Sequence, residues 1–256
     1  MHQAAENVIR QRMERTAQAL RKNNMEAICV DSAAEVLPLL EQWIAPGSSV
    51  GTGGSVTLAE CGVEQFLNSG KVKYLNRNAP GLTPEEREEV TRAHFSADWF
   101  LCSANAITDS GEIFNVDGIA NRIAALAFGP RNVALVAGYN KLVKDLAEAQ
   151  HRLETMAAPA NAQRLACKTP CAQTGVCANC QPGAHLLRLS VLRQQRQRAH
   201  PRHFGGRGAW LLNKCTKQRW PARLKRRGGP LYLLVYRAKN RKKGLACKYQ
   251  ATKLLM

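Results

Sequence analysis

The chain has 256 residues, 45% hydrophobic and 22% charged, which suits one large α/β domain or two small ones and excludes wholesale disorder. No run of 18 apolar residues occurs, so no spanning helix is expected. The opening MHQAAENVIRQRMERT lacks the apolar centre of a secretory signal, which leaves a cytoplasmic protein as the expectation. The net charge of +18 is unevenly spread: residues 1–183 hold 17 Lys/Arg and all 19 Asp/Glu, and residues 184–256 hold the other 20 Lys/Arg and no acid. With ~12% acidic residues in ordinary globular sequence, ~9 would be expected in that second stretch. The expected organisation is an α/β domain over 1–160, a cysteine-rich segment over 161–183 and a basic, disordered tail over 184–256.

In chain order, AAENVIRQRMERTAQALRKN places Val8, Ile9, Met13, Ala17 and Leu20 on one face of an amphipathic helix. MEAICV (25–30) predicts a short strand. SAAEVLPLLEQWI (32–44) predicts a helix opened by Ser32, with a kink or a late start at Pro38. SSVGTGGS reads as a strand entering a glycine turn, SVTLAECGVEQFLNSG as the helix after it, and KVKYLN (71–76) as a strand. Thr83-Pro84-Glu85-Glu86 is a capping-box helix start, and that helix is expected to reach about Ser96. DWFLCS (98–103) and NAITDSGEIFNV read as strands with a turn at Asp109-Ser110-Gly111. GIANRIAALAFG (118–129) reads as a helix stopped by Gly129-Pro130. RNVALVAG (131–138) is a continuous apolar strand, and KDLAEAQHRLETMAA (144–158) a helix ended by Pro159. Strands alternating with helices predict an α/β fold with a mostly parallel sheet flanked by helices.

Gly51, Thr52, Gly53, Gly54, Ser55 and Thr57 lie between a predicted strand and helix. Glycines there let consecutive N–H groups face one point, which suits an anion, and equally suit a tight turn with Ser55 as N-cap. The loop lacks the lysine of a P-loop and the spacing of a dinucleotide fingerprint. Asn105, Thr108, Asp117, Asn121 and Arg122 flank the next turn and could converge at strand carboxyl ends, where open α/β sheets bind ligands, or could serve turn and cap chemistry. Asn140 and Lys141 follow the best strand, and Lys141 could pair with an anion or sit in solvent. Cys29, Cys61 and Cys102 read as small buried hydrophobes. Cys167, Cys171, Cys177 and Cys180 crowd together and could hold zinc or an iron–sulfur cluster, or form a loop of free thiols.

VGTGGSVTLAECG, SANAITDSGEIFNVDGIANRIAALAFGPRNVALVAGYNKLV, the AAPANA run and TPCAQTGVCANCQPG occur in order and together resemble the LUD (lactate-utilisation) domain family over about residues 5–183. The resemblance implies a fold grouped with ribose-5-phosphate isomerases and CoA transferases. It also implies a phosphate-cradling role for Gly51–Thr57 and a place in oxidation of L-lactate to pyruvate beside iron–sulfur subunits. The isomerases' paired aspartates and the transferases' nucleophilic glutamate have no matching context here, so catalysis of either kind does not follow, although an enzyme of either type stays open. The family's cysteine run continues into S-P-x-R-I-C, whereas Cys180 is followed here by Gln-Pro-Gly-Ala-His-Leu-Leu.

Codons for Ala184-His185-Leu186 can be chosen that spell R-I-C one base later, and the same offset over 200–210 can spell I-H-V-I-L-V-G-E-E-L-G. A frameshift near Gly183 is the expectation these two segments support. On that view LYLLVY (231–236) is a strand without a partner, and the sheet lacks one strand. The tail's Lys225-Arg226-Arg227 and Arg241-Lys242-Lys243 clusters, interleaved with Trp210, Trp220, Tyr232 and Tyr236, would attract nucleic acid non-specifically, without the signature of a folded reader.

Overall fold

The computed structural model describes residues 2–178, 180, 188–192 and 232–238. Helix α1 (Gln3–Lys22) leads to strand β1 (Glu26–Val30), and a 3₁₀ turn (Ala33–Glu35) precedes α2 (Val36–Trp43). The late start comes where Pro38 requires it, because proline fits only a first helical turn. Strand β2 (Ser49–Thr52) runs through the glycine loop into α3 (Val56–Glu60), then α4 (Val63–Leu67) and β3 (Lys73–Leu75). The single helix expected over 55–70 is two, since Gly62 takes a left-handed conformation with φ 73° and breaks it. Helix α5 (Pro84–Ala93) carries the expected capping box and ends in a 3₁₀ turn over His94–Ser96.

Strands β4 (Trp99–Cys102), β5 (Ala106–Thr108) and β6 (Ile113–Asp117) precede α6 (Asn121–Ala127) and β7 (Asn132–Gly138). Strand β8 (Leu142–Val143), α7 (Leu146–Arg152), a π-helical turn (Leu153–Ala157), α8 (Ala158–Arg164) and α9 (Pro170–Thr174) follow. Pro159 does not end the helix as expected. It falls in the first turn of α8, where no N–H is needed, just after the wider π turn. The last described strands are β9 (Arg188–Leu192) and β10 (Tyr232–Ala238).

The main sheet has the order β1-β10-β7-β4-β2-β3. Strands β7, β4, β2 and β3 are parallel neighbours, and β10 is antiparallel to both β1 and β7. A smaller sheet has the order β8-β5-β6-β9. The α/β, mostly parallel architecture is as expected, with the second sheet as an addition. The expectation of an unpartnered 231–236 segment is overturned. Leu234 pairs in register with Ile28 on one side and Val136 on the other, so the place between β1 and β7 is filled. Residues 200–210, where the shifted reading puts its strand, lie outside the described residues, as does most of 184–256.

The apolar runs of β4 and β7 follow from burial on both faces. Phe100 and Leu135 pack under α1 with Met13, Leu20 and Leu233, while Leu101 and Val136 face Val36, Leu40, Val63, Phe66 and Tyr232. Of the predicted α1 face, Met13, Ala17 and Leu20 are buried and Ile9 is partly so. Val8, expected with them, is 61% exposed. A third cluster joins Ala106, Phe114 and Val116 of the small sheet to Leu153 and Ala158.

Candidate functional site

Four parallel strands end on one side of the main sheet, and each is followed by a residue of interest. The glycine loop follows β2, Arg77 lies two positions past β3, Ser103 directly follows β4, and Lys141 lies three positions past β7. Strand carboxyl ends are where open α/β sheets place ligands, because the chain there is free of the hydrogen-bond ladder.

Within the loop, Ser55 caps α3, its hydroxyl accepting from Leu58 N–H at 3.3 Å. With five residues α3 contributes little dipole, so the field at the loop comes from side chains. A Cβ on Gly53 would lie 3.3 Å from Cys102 Cβ and 3.7 Å from Arg122 Cδ; one on Gly54 would lie 3.8 Å from Arg77 Nη2 and 4.0 Å from Arg164 Nη2. Thr52 turns its hydroxyl toward the Tyr74 hydroxyl at 3.2 Å. Thr57 accepts a hydrogen bond from Lys141 Nζ at 3.0 Å, and Ser103 Oγ accepts a second at 2.6 Å. The Ser103 hydroxyl hydrogen goes to the Val136 carbonyl at 2.6 Å.

Asn105, Asp117 and Arg122 form a single network. Arg122 donates from Nε to Asp117 Oδ1 at 2.8 Å, from Nη1 to the Ser103 carbonyl at 3.1 Å and from Nη2 to Asn105 Oδ1 at 2.7 Å. The second carboxylate oxygen of Asp117 accepts from Ile123 N–H at 2.8 Å, so both its oxygens are engaged. Arg152 donates to the Asn105 and Asn140 carbonyls at 2.6 and 2.9 Å. Of these cations only Arg122 has a carboxylate within ion-pair reach among the described residues. Arg77 makes no hydrogen bond there, and burial works against its charge. Burial, with Arg152 and Arg122 beside it, pushes Lys141 down to about 8.

The structure thus gathers Gly51, Thr52, Gly53, Gly54, Ser55, Thr57, Asn105, Asp117, Arg122 and Lys141, and separates three other candidates. Thr108 is buried at the far turn, bonded to Ser110 and Glu112. Asn121 lines a neighbouring groove of about 670 Å³ with Arg87, Arg92 and Ile119, and Arg77 stands between that groove and the loop. Asn140 is exposed and offers its backbone carbonyl to Arg152. Arg77, Ser103, Arg152 and Arg164 were not foreseen. The first two could have been found by applying the strand-end rule to every strand, whereas Arg152 and Arg164 sit on helices and look like ordinary solvated positions.

The cysteine segment is arranged differently. Cys171 is buried and Cys177 N–H is tied to the Glu154 carbonyl; all four thiols are free. Among the described residues no three His, Cys, Asp or Glu side chains gather as a metal would need. Cys29 and Cys61 are pushed up to about 12 and 11, chiefly by burial, which disfavours their thiolate forms.

The model of the LUD domain matches residues 13–186, two thirds of the chain. The chain belongs to the LUD domain family. It is therefore a lactate-utilisation-related domain, and the match ends just past the point at which the chain turns basic. No individual curated protein matches it. No helix among the described residues is long and apolar enough to cross a membrane.

Proposed function

We propose that this LUD domain binds a small anionic ligand over Gly51–Thr57 and serves in oxidation of L-lactate to pyruvate, or in related metabolism, beside iron–sulfur oxidoreductase subunits. One observation carries the binding reading: Arg77, Lys141 and Arg164 surround a glycine loop, and none of the three is ion-paired to a carboxylate among the described residues, Asp117 and Glu60 acting on Arg77 and Lys141 only from farther off. Cations gathered without counter-charge repel one another, and a bound anion removes that cost. Arg77 and Arg164 present planar donors suited to phosphate or carboxylate, and glycines at 53 and 54 keep Cβ atoms out of the space between.

The sugar-phosphate isomerase and CoA-transferase readings each need a free carboxylate. Asp117, with both oxygens engaged, is a poor base or nucleophile, which supports a binding role for the network. The tail's basic clusters, which would hold nucleic acid non-specifically, lie outside the described residues.

A thermal-shift panel of inorganic phosphate, pyrophosphate, L-lactate and pyruvate tests the proposal on the full chain. At least one anion should raise Tm, and Arg77→Gln should weaken that response about tenfold in concentration, as loss of a charge-assisted hydrogen bond does. Arg226→Gln in the tail should not. Equal effects of the two substitutions would mean that the anion binds the tail and that the loop reading is wrong.

A further inference from the structure

Lys141 is anomalous even within this cluster. It is half-buried, its ammonium group is hydrogen-bonded to two neutral hydroxyls and ion-paired to no carboxylate, and the Arg152 and Arg122 guanidinium groups near it outweigh the opposing pull of the Glu60 carboxylate. A lysine that serves only as a structural cation is ordinarily given a counter-ion. One that is desolvated beside other cations is poised to lose its proton. Ser103 and Thr57 fix two of the three outer positions of Nζ, and no described residue takes the third. Ser103 can act only as acceptor toward the lysine, because its own hydrogen is held by the Val136 carbonyl. Both contacts therefore orient the nitrogen without supplying charge.

From this geometry we infer that Lys141 is a nucleophilic amine that forms an imine with an aldehyde or ketone carbonyl of the anionic ligand held on the glycine loop. The inference rests on the anion reading given above. In the step, the Nζ lone pair attacks the carbonyl carbon and forms the C–N bond. The two nitrogen hydrogens pass to the carbonyl oxygen, which leaves as water, and a C=N bond remains. No oxidant or reductant is consumed. Arg77 and Arg164 hold the anionic end beside Gly54, and the contact of Lys141 with Thr57, in the first turn of α3, puts the amine at the helix end of the same loop.

Pyridoxal 5′-phosphate, an aldehyde with a phosphate, is the probe. The full chain is incubated with it, reduced with borohydride and digested, and the label on each lysine peptide is read by mass. The expected result is a label concentrated on Lys141, suppressed by inorganic phosphate and about tenfold weaker with pyridoxal, which lacks the phosphate. Lys141→Arg should remove that label, whereas Arg226→Gln in the tail should leave both the label and phosphate binding as in the wild type. Labelling of Lys141 that is indifferent to phosphate would retain the imine and overturn the anion reading. Phosphate binding with Lys141 labelled no more than the tail lysines would overturn the imine and retain the anion site.

Discussion

His94 packs against Gly51 so closely that a Cβ on the glycine would lie 2.7 Å from ring atoms Cγ and Cδ2. The ring is held from its other side, where Nε2 meets the Leu75 carbonyl at 2.8 Å, and it touches Phe100 at a centroid distance of 5.8 Å. Gly51 is thus a packing glycine at the end of β2, distinct in role from Gly53 and Gly54 farther along the loop. Gly51→Ala should lower stability by ~1–3 kcal/mol through overpacking, read as a lower urea midpoint with unchanged slope. Pairing it with His94→Ala should recover part of that loss, because the clash partner is gone.

His94 also makes stability depend on acidity. Burial, as the main cause, holds its pKa below the ordinary 6.5, and Nδ1 is buried without a partner. The unfolded chain therefore binds a proton at this site more readily than the folded one does. Stability contributed by the neutral ring is complete above about pH 6.5 and falls as pH drops below it. Urea unfolding between pH 7 and pH 5 should show a decline that is shallower in His94→Phe.

The strand Tyr232–Ala238 should be required for the sheet. Leu233 is fully buried against the α1 side and Tyr232 against the other, so this segment of the basic region enters both halves of the core. Leu233→Ala should cost ~2–5 kcal/mol. Ending the chain at residue 231 should bare the facing edges of β1 and β7 and produce aggregation, visible by light scattering. An unaltered Tm in the shortened chain would contradict the described pairing.

Amine reactivity should separate Lys141 from its fellows. Acetylation of Lys141 should rise through about pH 8, below the 10.5 of an ordinary lysine. Bound phosphate adds counter-charge and should move that rise to higher pH. The rates are read peptide by peptide by mass spectrometry.

Much of this architecture is legible in the residues. The apolar run 131–138, the Thr83 capping box and the strand–glycine–helix passage at 49–57 each depend on local physics, and each is found where its pattern places it. The misses are of two kinds, local breaks in helix regularity and one long-range pairing. That helix resumes as α8 through Pro159 depends on the π turn after α7, and Gly62 breaks a helix that periodicity alone would extend. The apolar run near residue 232 has no partner nearby in sequence; its partners lie more than 90 residues earlier, at Val136 and Ile28. At the site, glycines and Lys141 announce themselves by their place after strands, whereas the convergence of Arg77 and Arg164 on Gly54 is visible only in three dimensions.

If Gly51–Thr57 and the cations around it form one anion site, phosphate should bind there and nowhere else with comparable strength. Equilibrium dialysis of radiolabelled phosphate against the full chain, at physiological salt, tests it with Gly53→Val beside the wild type. A Cβ at Gly53 meets Cys102 Cβ at 3.3 Å and projects toward Arg122, so the branched side chain should disturb the cradle. One saturable site is expected in the wild type, weakened about tenfold or more in Gly53→Val, while Arg226→Gln binds as the wild type does. Undiminished phosphate binding by a folded Gly53→Val chain would contradict it.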